Sequence, residues 1–253
     1  MYRNHNDHLH DYNKIDGILA IVFYILDIIN IYFWVVNNLG KSIRDNIANN
    51  LYPYMITVGF ADFQADKLAC LISVFPSNII PFIALFVIVK FRKQKFSSLG
   101  LRKNKNLQAC LTGIILGIML AFLIYLIYYM TGNITAFYNL YKFKFSVVDL
   151  INNLVFTGLK EELSYRAFIQ SRILEIIHSK YIAIPVVGLM FWISHFFNDF
   201  VHGPFEIYSF IAQAVFILAF HILSLIIYKR SDNILTSAFF HGIYDYLTSF
   251  IYS

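Results

Sequence analysis

Charged side chains are scarce in this chain. Asp, Glu, Lys and Arg make up 14% of its 253 residues, whereas hydrophobic residues make up 58%. Soluble domains carry about 25% charged residues. A large soluble core does not explain several uninterrupted apolar runs of about 20 residues each, so the composition excludes it and indicates a polytopic membrane protein.

Cysteine is almost absent. Cys70 and Cys110 are the only two, and both fall within apolar runs. They provide no disulfide framework and no metal-ligand spacing. A basic partner is expected for neither thiol, which disfavours a thiol nucleophile.

The short motifs of several membrane hydrolases are also missing. The sequence contains no HExxH motif, which excludes a zincin-like helix with two histidines and a glutamate. No GxGD motif accompanies a Tyr-Asp carboxylate, and no GxS serine is followed by a suitable histidine. A rhomboid-like Ser–His pair is therefore not supported.

Seven apolar segments are present, each near the length of about 20 residues that a helix needs to cross the hydrocarbon core. Strands are unsuitable, because their unpaired backbone cannot face lipid. The sequence predicts an all-α fold, a polytopic membrane bundle of about seven transmembrane helices. A polar cytoplasmic tail, residues 1–14, precedes a single domain, residues 15–253. The predicted spans are 15–36, 68–89, 107–130, 147–165, 181–200, 208–228 and 233–251.

Basic residues cluster between the second and third spans, in KFRKQKFSSLGLRKN, residues 90–104. The positive-inside rule places this loop in the cytoplasm, together with the N-terminus, loop 166–180 and the pair Lys229/Arg230. The net charge of +5 is therefore interpreted as a signal for the orientation of the chain in the membrane. No nucleic-acid partner is predicted. The Asn-, Ile- and Lys-rich composition indicates a low-GC bacterium, so we expect a multi-pass bacterial cell-membrane protein with a cytoplasmic N-terminus, in contact with the lipid bilayer.

The last four predicted spans carry ionisable and amide side chains. Each ionisable group in a span costs about 2.5–3.5 kcal/mol on insertion scales, so each is a functional hypothesis by default. The residues that share helix faces by their spacing are Glu162 and Arg166 (i,i+4), His195 and Asn198 (i,i+3), and His241 and Asp245 (i,i+4).

Helical spacing predicts an ion pair between Glu162 and Arg166. Glu161 lies about 100° round the helix from Glu162 and has no such partner within its own helix. Three helices can thus direct the Glu161 carboxylate, the His195 ring and the His241 ring at one point. This set supplies what a buried hydrolytic site requires, namely a base for water and groups that stabilise an oxyanion.

Three motifs carry a resemblance to a known family. EELSYR, residues 161–166, fits EExxxR; FWISH, residues 191–195, fits FxxxH; and HGIYD, residues 241–245, fits HxxxN/D. Their order and spacing resemble the CPBP family, also called Abi. It comprises the type II CAAX prenyl endopeptidases and bacterial relatives that include bacteriocin-processing and self-immunity proteins. The resemblance covers about residues 97–250.

The resemblance implies a glutamate-dependent peptidase that requires no cofactor. Glu161 would activate a water molecule, and His195, His241 and the side chain of residue 245 would orient the water and stabilise the oxyanion. Glu162 and Arg166 would support them, and Asn198, on the same helix face as His195, is a further supporting residue. The residues themselves leave a divalent metal such as zinc open, with Glu161, His195 and His241 as its ligands.

The chain departs from the family pattern at three positions. Tyr165 and Ala167 replace the common Phe and Gly beside the arginine, and Asp245 stands where Asn is frequent. An ionised Asp accepts hydrogen bonds but does not donate them. Residue 245 is therefore a poor donor to an oxyanion in this chain.

Two functions are predicted. The first is an intramembrane endopeptidase that acts on a peptide or on a membrane-associated protein segment, with a peptide pheromone or bacteriocin precursor as the favoured substrate. The second is a non-catalytic membrane immunity or scaffold protein that keeps the same fold. A pure scaffold does not require three buried polar motifs, which favours the endopeptidase.

Overall fold

The structure is a computed structural model that describes residues 12–102, 105–132, 144–202 and 207–249. The side chains of residues 197–202 are outside this description. All regular structure in these ranges is helical, which confirms the all-α membrane bundle.

Eight helices, numbered here in chain order, form the described bundle. α1 (Lys14–Ile31) continues into a π-helical turn (Tyr32–Val36), and a short 3₁₀ helix (Phe96–Leu99) lies between α3 and α4. The remaining helices are α2 (Asn38–Thr57), α3 (Asp62–Phe91), α4 (Asn106–Met130), α5 (residues 147–177), α6 (Lys180–His202), α7 (Ile207–Ser231) and α8 (Ile234–Thr248).

α5 is irregular along its length. It begins as an α-helical turn, continues through two π-helical segments and ends in two short α-helical pieces. π-helical segments are rare and frequently occur at functional sites, and the sequence pattern did not predict them. The pieces are Val147–Ile151, Asn152–Leu159, Glu162–Ile169, Gln170–Arg172 and Leu174–Ile177.

Helices occur in all seven predicted spans, but they differ in hydropathy. Four are long and apolar enough to cross a membrane: Lys14–Val36, Asp62–Phe91, Asn106–Met130 and Ile207–Ser231; Lys180–Phe196 is a shorter apolar helix. α5 and α8 are instead the most buried elements and carry the polar motifs. The total of seven crossings stays a prediction. α2 adds a helix within loop 37–67, where no span was predicted.

Small residues allow α8 to lie close against its neighbours. A Cβ at Gly113 of α4 would overlap the carbonyl oxygen of Thr236, and one at Gly158 of α5 would overlap that of Ala238. Glycine at such contacts permits the close backbone approach that helix packing in membranes uses. α8 is therefore held between α4 and α5, which brings the HxxxD motif next to the EExxxR motif.

An ion pair and a hydrogen bond connect several chain segments at one end of the bundle. Arg92 Nε lies 2.9 Å from Asp16 Oδ1, and Arg172 Nη2 lies 2.6 Å from Gln94 Oε1. Asp16 and Arg172 are each 1% exposed. These contacts join the start of α1, the segment after α3 and the end of α5.

The turn between α7 and α8 lies at this same end, because Arg102 Nη2 is 2.6 Å from Asp232 Oδ1. At the opposite end, Lys67 Nζ is 3.2 Å from Asp149 Oδ2, which joins the start of α3 to the start of α5. The segments that the positive-inside rule assigned to one side of the membrane thus lie at one end of the bundle. Which end faces the cytoplasm stays a prediction.

We expect Lys95→Cys and Lys144→Cys to report opposite sides of the membrane, in a background where Cys70 and Cys110 are replaced by Ser. Lys95 follows α3, whereas Lys144 Nζ lies 5.7 Å from the ring centroid of Phe63 at the start of that helix. An impermeant thiol reagent applied to intact cells should label position 144 and leave position 95 unlabelled. Labelling at 95 alone would reverse the orientation, and labelling at both would contradict the fold.

Candidate active site

Three helices bring the predicted side chains together. α5 supplies the EExxxR residues, α6 supplies the histidine of FxxxH, and α8 supplies the HxxxD residues. The side chain of Asn198, a predicted supporting residue, lies outside the described residues. The six that converge are Glu161, Glu162, Arg166, His195, His241 and Asp245.

Glu162 is the fully buried carboxylate of the site. Its Oε1 lies 3.3 Å from Arg166 Nη1 and 3.0 Å from His241 Nδ1, and the side chains of Glu162 and Arg166 are 0% exposed. The Arg166 guanidinium carbon also lies 4.1 Å from the ring centroid of Phe191. Glu162 therefore ties α5 to α8, in a setting where loss of either charged partner leaves the other uncompensated.

Glu161 faces two histidines from different helices. Its Oε2 lies 3.8 Å from Nε2 of His195 and 3.8 Å from Nε2 of His241. These separations exceed hydrogen-bond length, and Oε2 has no hydrogen-bond partner among the described residues. The Glu161 side chain is 15% exposed, so this carboxylate is the one that remains available for chemistry.

The backbone fixes the tautomer of His195. Its Nδ1 lies 2.8 Å from the carbonyl oxygen of Phe191. A carbonyl oxygen only accepts hydrogen bonds, so Nδ1 is the donor and the neutral ring presents the Nε2 lone pair to Glu161. The His195 side chain is 34% exposed, which places it on the open side of the site.

His241 is held from both sides by carboxylates. Nδ1 lies 3.0 Å from Glu162 Oε1, and Nε2 lies 3.2 Å from Asp245 Oδ2. Asp245 thus acts as an acceptor that orients the ring. This agrees with the expectation that an ionised residue 245 does not donate to an oxyanion.

Glu161, His195 and His241 are the residues that the sequence left open as zinc ligands. No group of three His, Cys, Asp or Glu side chains within the described ranges is arranged to hold a metal ion. Both ring nitrogens of His241 are directed at carboxylate oxygens. In this arrangement the ring offers no free lone pair to a metal beside Glu161 and His195.

Phe191 lies at the centre of the site and carried no predicted role. Its ring centroid is 4.6 Å from that of His195 and 6.2 Å from that of His241, and its face covers Arg166. The phenylalanine of the FxxxH motif was the sequence signal that could have identified this residue. A second unassigned residue, His221, is 0% exposed and lies 6.2 Å from Phe191.

The fold and this geometry define a class: a multi-pass helical membrane protein with a buried glutamate–histidine site. Residues 143–247 match the family model described as Type II CAAX prenyl endopeptidase Rce1-like. This match supports the CPBP family, which the three motifs predicted. The comparisons with curated proteins and with solved structures gave no match.

The matched region contains every predicted site residue, from Glu161 to Asp245. It covers less than half of the chain and leaves α1 to α4 outside. At the family level, the match supports a CAAX protease-type membrane endopeptidase with a peptide or protein substrate.

Proposed function

We propose that the protein is an intramembrane endopeptidase in which Glu161 activates a water molecule that hydrolyses a peptide bond. The observation that carries this proposal is the position of Glu161 Oε2, equidistant at 3.8 Å from two imidazole nitrogens and without another partner among the described residues. A water molecule hydrogen-bonded to the carboxylate and to His195 Nε2 would be held between two acceptors, to which it donates both protons.

The reaction begins with attack of the water oxygen on the peptide carbonyl carbon, while one water proton moves to Glu161. The carbonyl oxygen becomes an oxyanion that the positive charge of a protonated His241 would stabilise, while His195 Nε2 orients the water. Glu161 then delivers its proton to the departing amine nitrogen as the carbon–nitrogen bond breaks. The glutamate is regenerated, and one water molecule is consumed.

The remaining residues hold these groups in place. Arg166 balances Glu162, and Glu162 with Asp245 fixes the His241 ring. The site contains three carboxylates close to one guanidinium, so a protonated His241 would reduce the excess negative charge around Glu161. The substrate class is a peptide or a membrane-associated protein segment, since the reacting groups lie within the helical bundle.

We expect Asp245→Ala to lower kcat about tenfold to a hundredfold, by analogy with the loss of residues that orient metal-bound histidines in other proteins. Asp245→Asn should retain most of the activity, because the amide oxygen still accepts from His241 Nε2. Steady-state kinetics on purified protein of equal thermal stability compares the two variants. An Asn variant as impaired as the Ala variant would show that the charge is required and that orientation alone does not explain residue 245.

The proposal is tested by comparing new protein N-termini in cells that express the wild type, Glu161→Gln or Glu175→Gln. Glu175 lies near the end of α5, outside the site, and is the matched control. Cleavages present with the wild type and the control, and absent with Glu161→Gln at equal abundance, support the endopeptidase. A biological phenotype that persists with Glu161→Gln would instead identify a non-catalytic immunity or scaffold protein.

A further inference from the structure

Asp27 is a buried carboxylate that the proposed mechanism does not use. It lies in α1, outside the region that matches the family, and is 7% exposed. An ionisable group within a transmembrane helix is costly unless other groups compensate it. Asp16, the other buried carboxylate of α1, has its partner Arg92 at the end of the bundle, so Asp27 requires an explanation of its own.

The partners of Asp27 are residues of the EExxxR segment. The hydroxyl of Tyr165 donates to Asp27 Oδ2 at 3.5 Å. Lys160 and Glu161 are both close enough to interact with the Asp27 charge, and Lys160 Nζ lies 3.2 Å from Asn78 Oδ1 of α3. α1 and α3 therefore contribute polar groups to the part of α5 that carries the proposed general base.

Tyr165 connects Asp27 to the histidine on α6. Tyr165 is 2% exposed, and its ring centroid lies 4.9 Å from that of Phe191. Ser194 Oγ donates to the carbonyl oxygen of Phe191 at 2.6 Å. The same carbonyl oxygen accepts from His195 Nδ1, and the Phe191 ring centroid lies 4.6 Å from that of His195. Tyr165 therefore packs against the residue that fixes the His195 ring.

We infer that Asp27 is a positioning residue of the site: through the Tyr165 hydroxyl it holds the Tyr165 ring against Phe191, whose ring and carbonyl oxygen position His195 opposite Glu161. The inference rests on the proposed function. It also accounts for a departure from the family pattern, because Tyr165 stands where Phe is common and its additional hydroxyl is the group that reaches Asp27. α1 thereby becomes part of the active-site wall.

The test compares Asp27→Leu, Asp27→Asn, Tyr165→Phe and the double variant Asp27→Leu/Tyr165→Phe in full-length protein purified in detergent. The matched control is Tyr24→Phe, which removes a neighbouring hydroxyl from α1. The probe is an internally quenched peptide copied from a cleavage site that requires the wild-type protein. A second readout, the ¹⁵N resonances of the His195 ring, needs no substrate and is assigned by comparison with His195→Ala.

We expect Asp27→Leu and Tyr165→Phe each to lower kcat about tenfold, as loss of a buried hydrogen bond to a charged group does. KM should stay within about twofold, because the contact positions a reacting group and does not bind substrate. The double variant should fall no further than either single variant. Asp27→Asn, which keeps an acceptor, should recover part of the rate, and Tyr24→Phe should match the wild type.

The His195 ring resonances should shift in Asp27→Leu and Tyr165→Phe and stay in place in Tyr24→Phe. Unchanged kcat and unchanged resonances in Tyr165→Phe at normal abundance would overturn the inference, as would additive losses in the double variant. If the Asp27→Leu protein does not accumulate, kcat and the His195 ring resonances of the nearly isosteric Tyr165→Phe variant test the inference. If the wild type cleaves nothing, the proposed function fails, and the resonances alone support or overturn the contact from Asp27 to His195.

Discussion

Replacing Arg166 by Ala is expected to lower the free energy of unfolding by about 3–5 kcal/mol, the loss typical of removing one partner from a buried ion pair. Glu162 would keep its charge with no exposed surface and without its guanidinium partner at 3.3 Å. The ring of Phe191 would also lose the cation above its face. Thermal unfolding in detergent, together with the yield of folded protein, measures the loss.

Two further variants distinguish the buried pair from a general sensitivity to arginine removal. The double change Glu162→Gln with Arg166→Met should recover part of the yield, because it removes both charges and leaves an amide oxygen for His241 Nδ1. Arg102→Ala is the control: its ion pair with Asp232 is partly exposed, so the loss should stay below about 1 kcal/mol. If Arg166→Ala folds normally and is merely inactive, Arg166 contacts the substrate and the structural assignment is wrong.

Replacing Glu161 by Gln is expected to lower kcat by about 10²–10⁴-fold, the contribution of general acid–base catalysis. Glutamine keeps the size and helix propensity of the residue but cannot accept the proton of water. Because Glu161 Oε2 has no hydrogen-bond partner among the described residues, the change should leave thermal stability and membrane insertion unchanged. Stopped or continuous assays with purified protein report the rate, and thermal unfolding reports the stability.

Combining Glu161→Gln with His195→Ala should add little to the loss from Glu161→Gln alone, because groups that act on one water molecule behave as a unit. His195 lies 3.8 Å from the same carboxylate oxygen, so its contribution requires that oxygen to be present. Losses that multiply in the double variant would show that the glutamate and the histidine act in separate steps.

Helical periodicity was sufficient to predict the contacts between residues of the same helix. Spacing of four residues predicted the ion pair of Glu162 with Arg166, and the structure has this pair at 3.3 Å. The same spacing predicted a shared face for His241 and Asp245, which lie 3.2 Å apart. Local geometry fixes such contacts, because residues three and four apart are neighbours on any helix.

Residue spacing in the sequence could not predict the contacts between different helices. Nothing in the sequence indicated that His241 would bond to Glu162 and remain further from Glu161, because this depends on the depth at which α8 sits between α4 and α5. The close approach that sets this depth depends on glycines such as Gly113 and Gly158. The π-helical segments of α5 also alter the angular relation between neighbouring side chains, and a period of 3.6 residues does not anticipate them.

Asp27 illustrates the same limit over a longer range. It lies within the first predicted span, residues 15–36, and carried no predicted role. Its contact with Tyr165 joins residues that are 138 positions apart, so no local pattern contains it. The family resemblance could not supply the contact either, since α1 lies outside the matched residues.

The central claim is that Glu161 is the base that activates water. It is tested most directly by cleavage of the mapped peptide with purified wild type and Glu161→Gln, each assayed before and after dialysis against a zinc chelator. We predict that the wild type cleaves the peptide under both conditions and that Glu161→Gln cleaves it under neither. Loss of wild-type cleavage on chelation, restored by zinc, would show that a metal is required. Cleavage by Glu161→Gln at the wild-type rate would contradict the account.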